Sequence, residues 1–264
     1  MRLADRFTVL GAMLLATALC SPQAHAANEA ETAELLVKLL QAGRTVISGH
    51  QALINDAAKG PKGFTPEYLA DRMIQKYREM TQIDLSRPAG TTQYRLLLIL
   101  LESGKEVVAE AQPVINKQGV AFKGFIPAVW GRKAGEKFYQ RTGIRLKLTA
   151  QEYRYPGNKP DEFENEVLTV FAQPSYPKGR GYSQILTMAG QPVLRYMAPE
   201  YATGPCLKCH GEPRGIRDET GMKREGFKEG DVMGAISLVL PMRSDDSAPI
   251  HANPGPKAKR KGGG

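Results

Sequence analysis

The sequence predicts an α+β fold in which helices precede an antiparallel β-sheet. Between residues 29 and 80, apolar residues recur every three or four positions, the spacing of amphipathic helices. From residue 144 onward, short apolar or alternating runs separated by Gly and Pro indicate strands joined by turns. Helices and antiparallel strands in separate parts of a chain are typical of α+β domains. The chain of 264 residues shows no internal repeat and is long enough for one large domain.

The leading helices are predicted from their apolar faces and their caps. Residues 29–54 are predicted to form the first helix. One of its faces carries Leu36, Leu40, Ile47, His50 and Ile54. Thr65 is a typical N-cap residue and Pro66 suits a first helical position, so a second helix is predicted from 66 to about 80.

The middle of the chain gives mixed signals. The apolar run at 96–101 has the length of a buried strand, but it also fits the end of a helix. Residues 105–119 are predicted to form a β-hairpin with its turn at 116–119, because Gly precedes the apolar run and Asn and Gly follow it. Residues 128–143 have a helical pattern that Gly143 closes.

The sheet is predicted from the C-terminal half. A proline-rich loop at 156–160 and a short acidic helix at 161–166 interrupt it, and a loop rich in Gly and charge covers 211–231. The predicted strands lie at 144–150, 166–172, 183–189, 192–199 and 232–242.

Residues 1–26 have the three parts of a secretory signal peptide. Arg2 and Arg6 precede an apolar run at 7–20, and Ala24-His25-Ala26 forms a small-x-small cleavage site. As a helix this run would span about 21 Å, less than the roughly 30 Å of a bilayer core, and an uncleaved anchor is the alternative. We expect the mature chain to begin at Ala27, to have no transmembrane span and to be periplasmic.

The formal net charge of +9 is concentrated in part at the C-terminus. Residues 246–264 are rich in Pro, Gly and Lys and are predicted to form a disordered basic tail. Its positive side chains are Lys257, Lys259, Arg260 and Lys261. The charge therefore does not indicate nucleic-acid binding. The tail could act as an electrostatic handle for an acidic partner or an anionic membrane surface.

The segment TGPCLKCHGEP at 203–213 carries the chemistry that the sequence offers, because it brings together Cys206, Cys209 and His210. Cys20 lies in the predicted signal peptide, so the mature chain keeps two cysteines. A structural zinc site needs four ligands, and no second Cys pair exists to complete it. A thioredoxin-like dithiol belongs to a βαβ setting that the sequence does not predict.

Haem attachment is the third interpretation of this motif, and the one that we prefer. In Cys-x-x-Cys-His the two thiols form thioethers with one haem, and the His binds the iron. Such covalent attachment takes place outside the cytoplasm, which agrees with the predicted export signal. The sequence therefore predicts one covalent haem c, with Cys206 and Cys209 as its attachment residues and His210 as the proximal iron ligand.

Several segments of the mature chain also share a pattern with a known family. They lie at 44–73, 124–149, 158–164, 193–213 and 229–242, and their most specific pieces are Asn55-Asp56, KGFTPE at 62–67 and CLKCHG at 206–211. In these segments the chain resembles the haem-binding, PAS-like family of bacterial monohaem c-type proteins, first catalogued as a domain of unknown function. The resemblance implies a PAS-like antiparallel sheet with N-terminal helices packed around it and one haem c. We assign this domain to residues 27–245.

The second axial ligand of the iron decides what such a haem does. His50 is the predicted distal ligand, because it lies on an apolar helical face where an idle polar group is costly. A core histidine bonded to a backbone carbonyl is the alternative. An open position, or a methionine, also remains possible as a prediction; the methionines considered are Met188, Met197, Met233 and Met242. The haem propionates have three candidate cationic partners, Arg44, Lys62 and Arg195.

These observations predict a periplasmic monohaem cytochrome that acts in electron transfer or redox response. The alternative is a haem-based sensor that reports a gas or redox signal to a partner protein, and a haem peroxidase ranks third. The electron-transfer or signalling partner is not identified by the sequence. No catalytic constellation beyond the haem is predicted, so the chain is not expected to be an enzyme.

Overall fold

The computed structural model describes residues 22–242. The tail at 246–264 lies outside this range, as does the signal peptide except for residues 22–26, so both stay predictions. Within it the helices are α1 (Pro22–Gly49), α2 (Gln51–Ile54), α3 (Pro66–Thr81), α4 (Thr92–Ile115), α5 (Pro127–Thr142), α6 (Glu162–Phe171) and α7 (Gly204–His210). The strands are β1 (Arg145–Thr149), β2 (Tyr182–Met188), β3 (Gln191–Tyr201) and β4 (Val232–Pro241).

The four strands form one sheet in the order β1-β4-β3-β2, and every neighbouring pair is antiparallel. The predicted α+β class is therefore confirmed. Side chains alternate between the two faces of a strand. On β3, Tyr196 and Ala198 accordingly join the main core, whereas Met197 joins a smaller cluster with residues of α6. Both faces of the central strands are thus covered.

The main core lies between the sheet and helices α1, α3, α4 and α5. Trp130 of α5 is fully buried there, and its indole Nε1 donates a 3.0 Å hydrogen bond to the carbonyl of Gly104. Gly43 and Gly104 make room for this ring, because a Cβ at either position would lie 2.1 Å or 2.7 Å from its atoms. The indole therefore ties α1, α4 and α5 together.

Local sequence signals correctly predicted several helix and turn boundaries. The Thr65 hydroxyl accepts a 3.1 Å hydrogen bond from the backbone N–H of Tyr68, which caps α3. Gly143 has a φ of 73° and ends α5 in the left-handed conformation that glycine favours. Strands β2 and β3 form the predicted hairpin across Ala189 and Gly190.

The predicted β-hairpin at 105–119 is wrong, because α4 runs from Thr92 to Ile115. The same helix resolves the ambiguous run at 96–101. Its buried side chains recur at helical spacing. They include Leu96, Leu97, Leu100, Leu101, Val107 and Val108. Gly104 suggested a turn, but it lies in mid-helix to admit the indole ring.

The predicted strand at 166–172 is also wrong, because these residues belong largely to α6. A capping box starts this helix: the Asp161 side chain accepts from the backbone of Glu164, whose carboxylate accepts from the backbone of Asp161. The Glu164 carboxylate is buried and pairs with Lys147 at 2.6 Å. It therefore anchors α6 on the sheet.

The first predicted helix, at 29–54, is divided. α1 ends at Gly49, His50 has φ −105° and ψ 10°, and the short α2 follows. Between residues 22 and 242, no helix has both the length and the hydropathy that a bilayer span requires.

Candidate functional site

Helix α7 carries the whole Cys-x-x-Cys-His motif directly after β3. The backbone N–H of Cys206 donates to the Thr203 carbonyl, and that of Gly211 donates to the Leu207 carbonyl, so the motif fills one short helix. A Cβ on Gly211 would lie 2.5 Å from the Leu207 carbonyl oxygen, which explains the glycine after His210. Cys206 and Cys209 are half-buried free thiols. The sequence-predicted thioether positions are therefore available on one helix.

Two neighbouring clefts lie beside α7. The His210 cleft has a volume of about 130 Å³ and is lined by His210, Met233 and residues of β1. The Cys206 cleft has a volume of about 490 Å³ and is lined by Cys206 and by residues of α1 and β3. Arg44 and Glu200 line both clefts. The larger volume lies within the range of about 300–1,000 Å³ that is common for cofactor sites.

The loop that follows α7 returns to His210. The backbone N–H groups of Gly226 and Phe227 both donate to the His210 carbonyl, at 3.0 and 2.9 Å. Gly226 has a φ of 83°, which suits this sharp return. The preceding residue, Glu225, thereby reaches the imidazole, and its Oε2 lies 2.8 Å from Nδ1 of His210. An N–H on Nδ1 that donates to this carboxylate leaves Nε2 as the free ring nitrogen.

Arg154, in the loop after β1, holds the acidic side chains of this region. Its Nε and Nη2 donate to the two carboxylate oxygens of Glu225 at 2.5 and 2.8 Å. Its Nη1 donates to Asp218 at 2.5 Å, and Nη2 also donates to the Cys209 carbonyl at 2.8 Å. Asp218 and Glu225 are almost completely buried, with side-chain exposures of 0% and 7%. One guanidinium therefore neutralises two buried carboxylates and fixes the backbone of α7.

Burial and charge act on the titratable groups of the motif. Burial raises the pKa of Glu225, but hydrogen bonds from Arg154 and His210 outweigh burial, so that pKa lies below its ordinary value. Burial and the charge of Arg154 lower the pKa of His210, which favours the neutral imidazole that binds metals. Burial and the charge of Asp218 raise the pKa of the Cys209 thiol.

His50 is hydrogen-bonded through both ring nitrogens. Nδ1 lies 2.7 Å from the Val46 carbonyl oxygen, and Nε2 lies 2.9 Å from the Tyr68 hydroxyl. Its ring also packs against Phe64. His50 lines neither the His210 cleft nor the Cys206 cleft. These contacts match the alternative of a core histidine, and the distal-ligand assignment stays a prediction that requires one of the two hydrogen bonds to break.

The methionines considered as ligands lie in different places. Met233 lines the His210 cleft. Met197 is fully buried in the cluster beside α6, Met188 is exposed on β2, and Met242 packs at the edge of the main core. Met233 is therefore the one of these four side chains that the structure places with His210.

The three candidate propionate partners are equally distinct. Lys62 is buried and donates to the backbone carbonyls of Lys59 and Gly60. Arg195 is buried and pairs with Asp161. Arg44 lines both clefts and forms an ion pair with Glu200. Its buried Nε has no hydrogen-bond partner among the residues that the structure describes. Arg44 is thus the candidate placed to meet an anionic group.

Sequence reasoning missed Glu225, Arg154 and Glu200. Glu225 and Arg154 lie in irregular loops, where neither helical nor strand periodicity distinguishes a buried charge from a solvated one. In the part of the chain covered by the structure, no cluster of three or more His, Cys, Asp or Glu side chains has the arrangement of a metal site.

The fold and the site define an α+β domain with a Cys-x-x-Cys-His helix beside two clefts. The chain belongs to the Tll0287-like family, whose model matches residues 23–241, and a family of the kind expected from the sequence is thereby confirmed. Among solved structures it is similar to one described as the cyanobacterial heme-protein Tll0287, at 16% sequence identity and a TM-score of 0.41. That match covers 59% of this chain and 98% of the other. Comparison with curated proteins gives no match.

Proposed function

We propose that the chain is a c-type haem protein, with one haem attached covalently at Cys206 and Cys209 and with His210 as an iron ligand. The observation that carries the proposal is the presence of both free thiols and the imidazole on α7, beside the two clefts. When bound, such a haem supplies one-electron Fe(II)/Fe(III) chemistry. The family match and the haem-protein description of the similar solved structure support this assignment.

The residues around the clefts fit this group. The Nδ1 contact with Glu225 leaves the Nε2 lone pair of His210 for a metal. Arg44, with its buried and unpartnered Nε, is suited to a haem propionate, because guanidinium groups bind carboxylates through charged hydrogen bonds. Propionate binding would require Arg44 to share or exchange its ion pair with Glu200.

The cellular setting and the family likeness complete the proposal. The signal peptide predicted at 1–26 supports export to the periplasm, where haem attachment of this kind takes place. A PAS-like description of the domain rests on the sequence resemblance. The antiparallel sheet with helices packed against it is compatible with that description.

We propose electron transfer or redox response as the activity, carried out with a partner protein whose identity is open. A sensor of a small gas is the second candidate. One observation favours the sensor: His50 makes two other hydrogen bonds and lines neither cleft, which would leave the second axial position open unless another side chain fills it. A peroxidase remains the third candidate.

Absorption spectra of the exported protein, oxidised and reduced, with and without CO, test these activities. A six-coordinate, low-spin haem that cycles reversibly between oxidation states and ignores CO would support electron transfer. A reduced haem that binds CO would support the sensor. A protein without a haem spectrum, after expression with a haem-attachment system, would overturn both.

A further inference from the structure

The His210–Glu225 contact gives the proximal imidazole an anionic neighbour. Nδ1 lies 2.8 Å from the carboxylate, and the Glu225 side chain is only 7% exposed. A hydrogen bond from a ligating His to a carboxylate fixes its tautomer and ring orientation and raises its basicity as a ligand. The contact is therefore able to influence the electronic properties of a metal bound at Nε2.

Two further features hold the carboxylate in this place. The backbone of the next two residues is hydrogen-bonded to the carbonyl of His210, so Glu225 cannot move away from the ring independently. The guanidinium of Arg154 binds both carboxylate oxygens as a fork. The arrangement is a chain of charged hydrogen bonds from Arg154 through Glu225 to His210.

We propose that Glu225 is a positioning residue for the haem iron, which orients His210 with Nε2 free and lowers the reduction potential by increasing electron donation from the imidazole. Stronger donation stabilises Fe(III) relative to Fe(II). The inference rests on the proposed haem site and adds to it the residue that sets the properties of the proximal ligand.

The test compares reduction potentials of haem-loaded Glu225→Gln and Asp218→Asn with that of the wild type at one pH. Both changes remove one carboxylate bound to Arg154. Asp218 is the matched control, because its described hydrogen bonds do not include His210. We expect E225Q to shift the Fe(II)/Fe(III) equilibrium about tenfold toward Fe(II), which is about +59 mV for one electron. D218N should shift it less than about twofold.

The outcomes separate this inference from the proposed function. Equal shifts in E225Q and D218N would mean that net charge alone acts, and unchanged potentials would mean that Glu225 does not act on the iron; either overturns the inference alone. A wild-type protein without covalent haem overturns the proposed function and the inference together. If E225Q does not accumulate in haem-loaded form, E225D provides the second test. It keeps the charge on a shorter side chain, so its potential should also rise, and an unchanged potential would overturn the inference.

Discussion

Replacement of Arg154 by Met removes the one side chain that neutralises both Asp218 and Glu225. Their carboxylates are almost fully buried, so water cannot take over the role of the guanidinium. Removing one partner of a buried ion pair destabilises a protein by about 3–5 kcal/mol, because it leaves an uncompensated charge. We therefore expect R154M to lower the free energy of unfolding by about that amount.

Thermal and denaturant unfolding of the haem-loaded protein measure this effect. At roughly 2–4 °C per kcal/mol for a protein of about this size, the expected decrease in Tm is about 6–20 °C. Arg214→Met is the matched control, since Arg214 pairs with Glu152 and these side chains are 66% and 46% exposed. An exposed pair contributes about 0–1 kcal/mol. If R154M were no less stable than R214M, the reasoning from burial would be refuted.

The pH dependence of the same difference is an internal check. In the wild type, burial raises the pKa of Asp218, but hydrogen bonds from Thr220 and Arg154 lower it further, so the net pKa lies below its ordinary value. Such a group contributes stability above its unfolded pKa, and this contribution is lost as pH falls through its folded pKa. Without Arg154, burial dominates and the carboxyl protonates more readily. The difference between wild type and R154M should therefore narrow as pH falls toward about 4.

Two further substitutions test the distal ligand and the core. The sequence-based assignment of His50 predicts that His50→Ala makes a low-spin haem high-spin and CO-reactive, whereas Met233→Leu does not; the reverse result would identify Met233, and unchanged spectra would leave His50 with the hydrogen bonds that the structure shows. Gly43→Ala should destabilise the protein by about 1–3 kcal/mol or more in denaturant unfolding, because its Cβ would lie 2.1 Å from the Trp130 ring. Gly49→Ala is the control, with no atom within 4 Å of the added Cβ, and equal stability losses in both variants would count against this packing.

Elements with local signals could be predicted from the sequence. Thr65 and Pro66 mark the start of α3, and Gly143 marks the end of α5, because capping and left-handed backbone depend on adjacent residues. The hairpin of β2 and β3 is likewise a local structure. These features need no knowledge of distant contacts.

The errors arose where tertiary packing determines the structure. Gly104 resembles a turn residue, but its reason is an indole from another helix. In the segment at 166–172, β-branched residues indicated a strand, whereas the capping box of Asp161 and Glu164 and the packing against the sheet produce a helix. Propensity is a weak signal when a segment is buried.

The candidate site divides in the same way. Cys206, Cys209 and His210 are adjacent in sequence, so their motif was visible at once. Glu225 lies 15 residues beyond His210, and Arg154 lies 71 residues before Glu225. Their meeting depends on the return of the loop after α7 and on the position of β1, which no local pattern records.

Covalent attachment of haem at α7 is the central claim, and the intact mass of the exported chain tests it most directly. The wild-type chain should carry one haem after denaturation and acid extraction, with the mass of the chain that begins near Ala27 plus one haem. A Cys206→Ala, Cys209→Ala double variant made in the same cells should have lost it. A wild-type chain at its polypeptide mass, or a haem that acid extraction removes from it, would contradict the account.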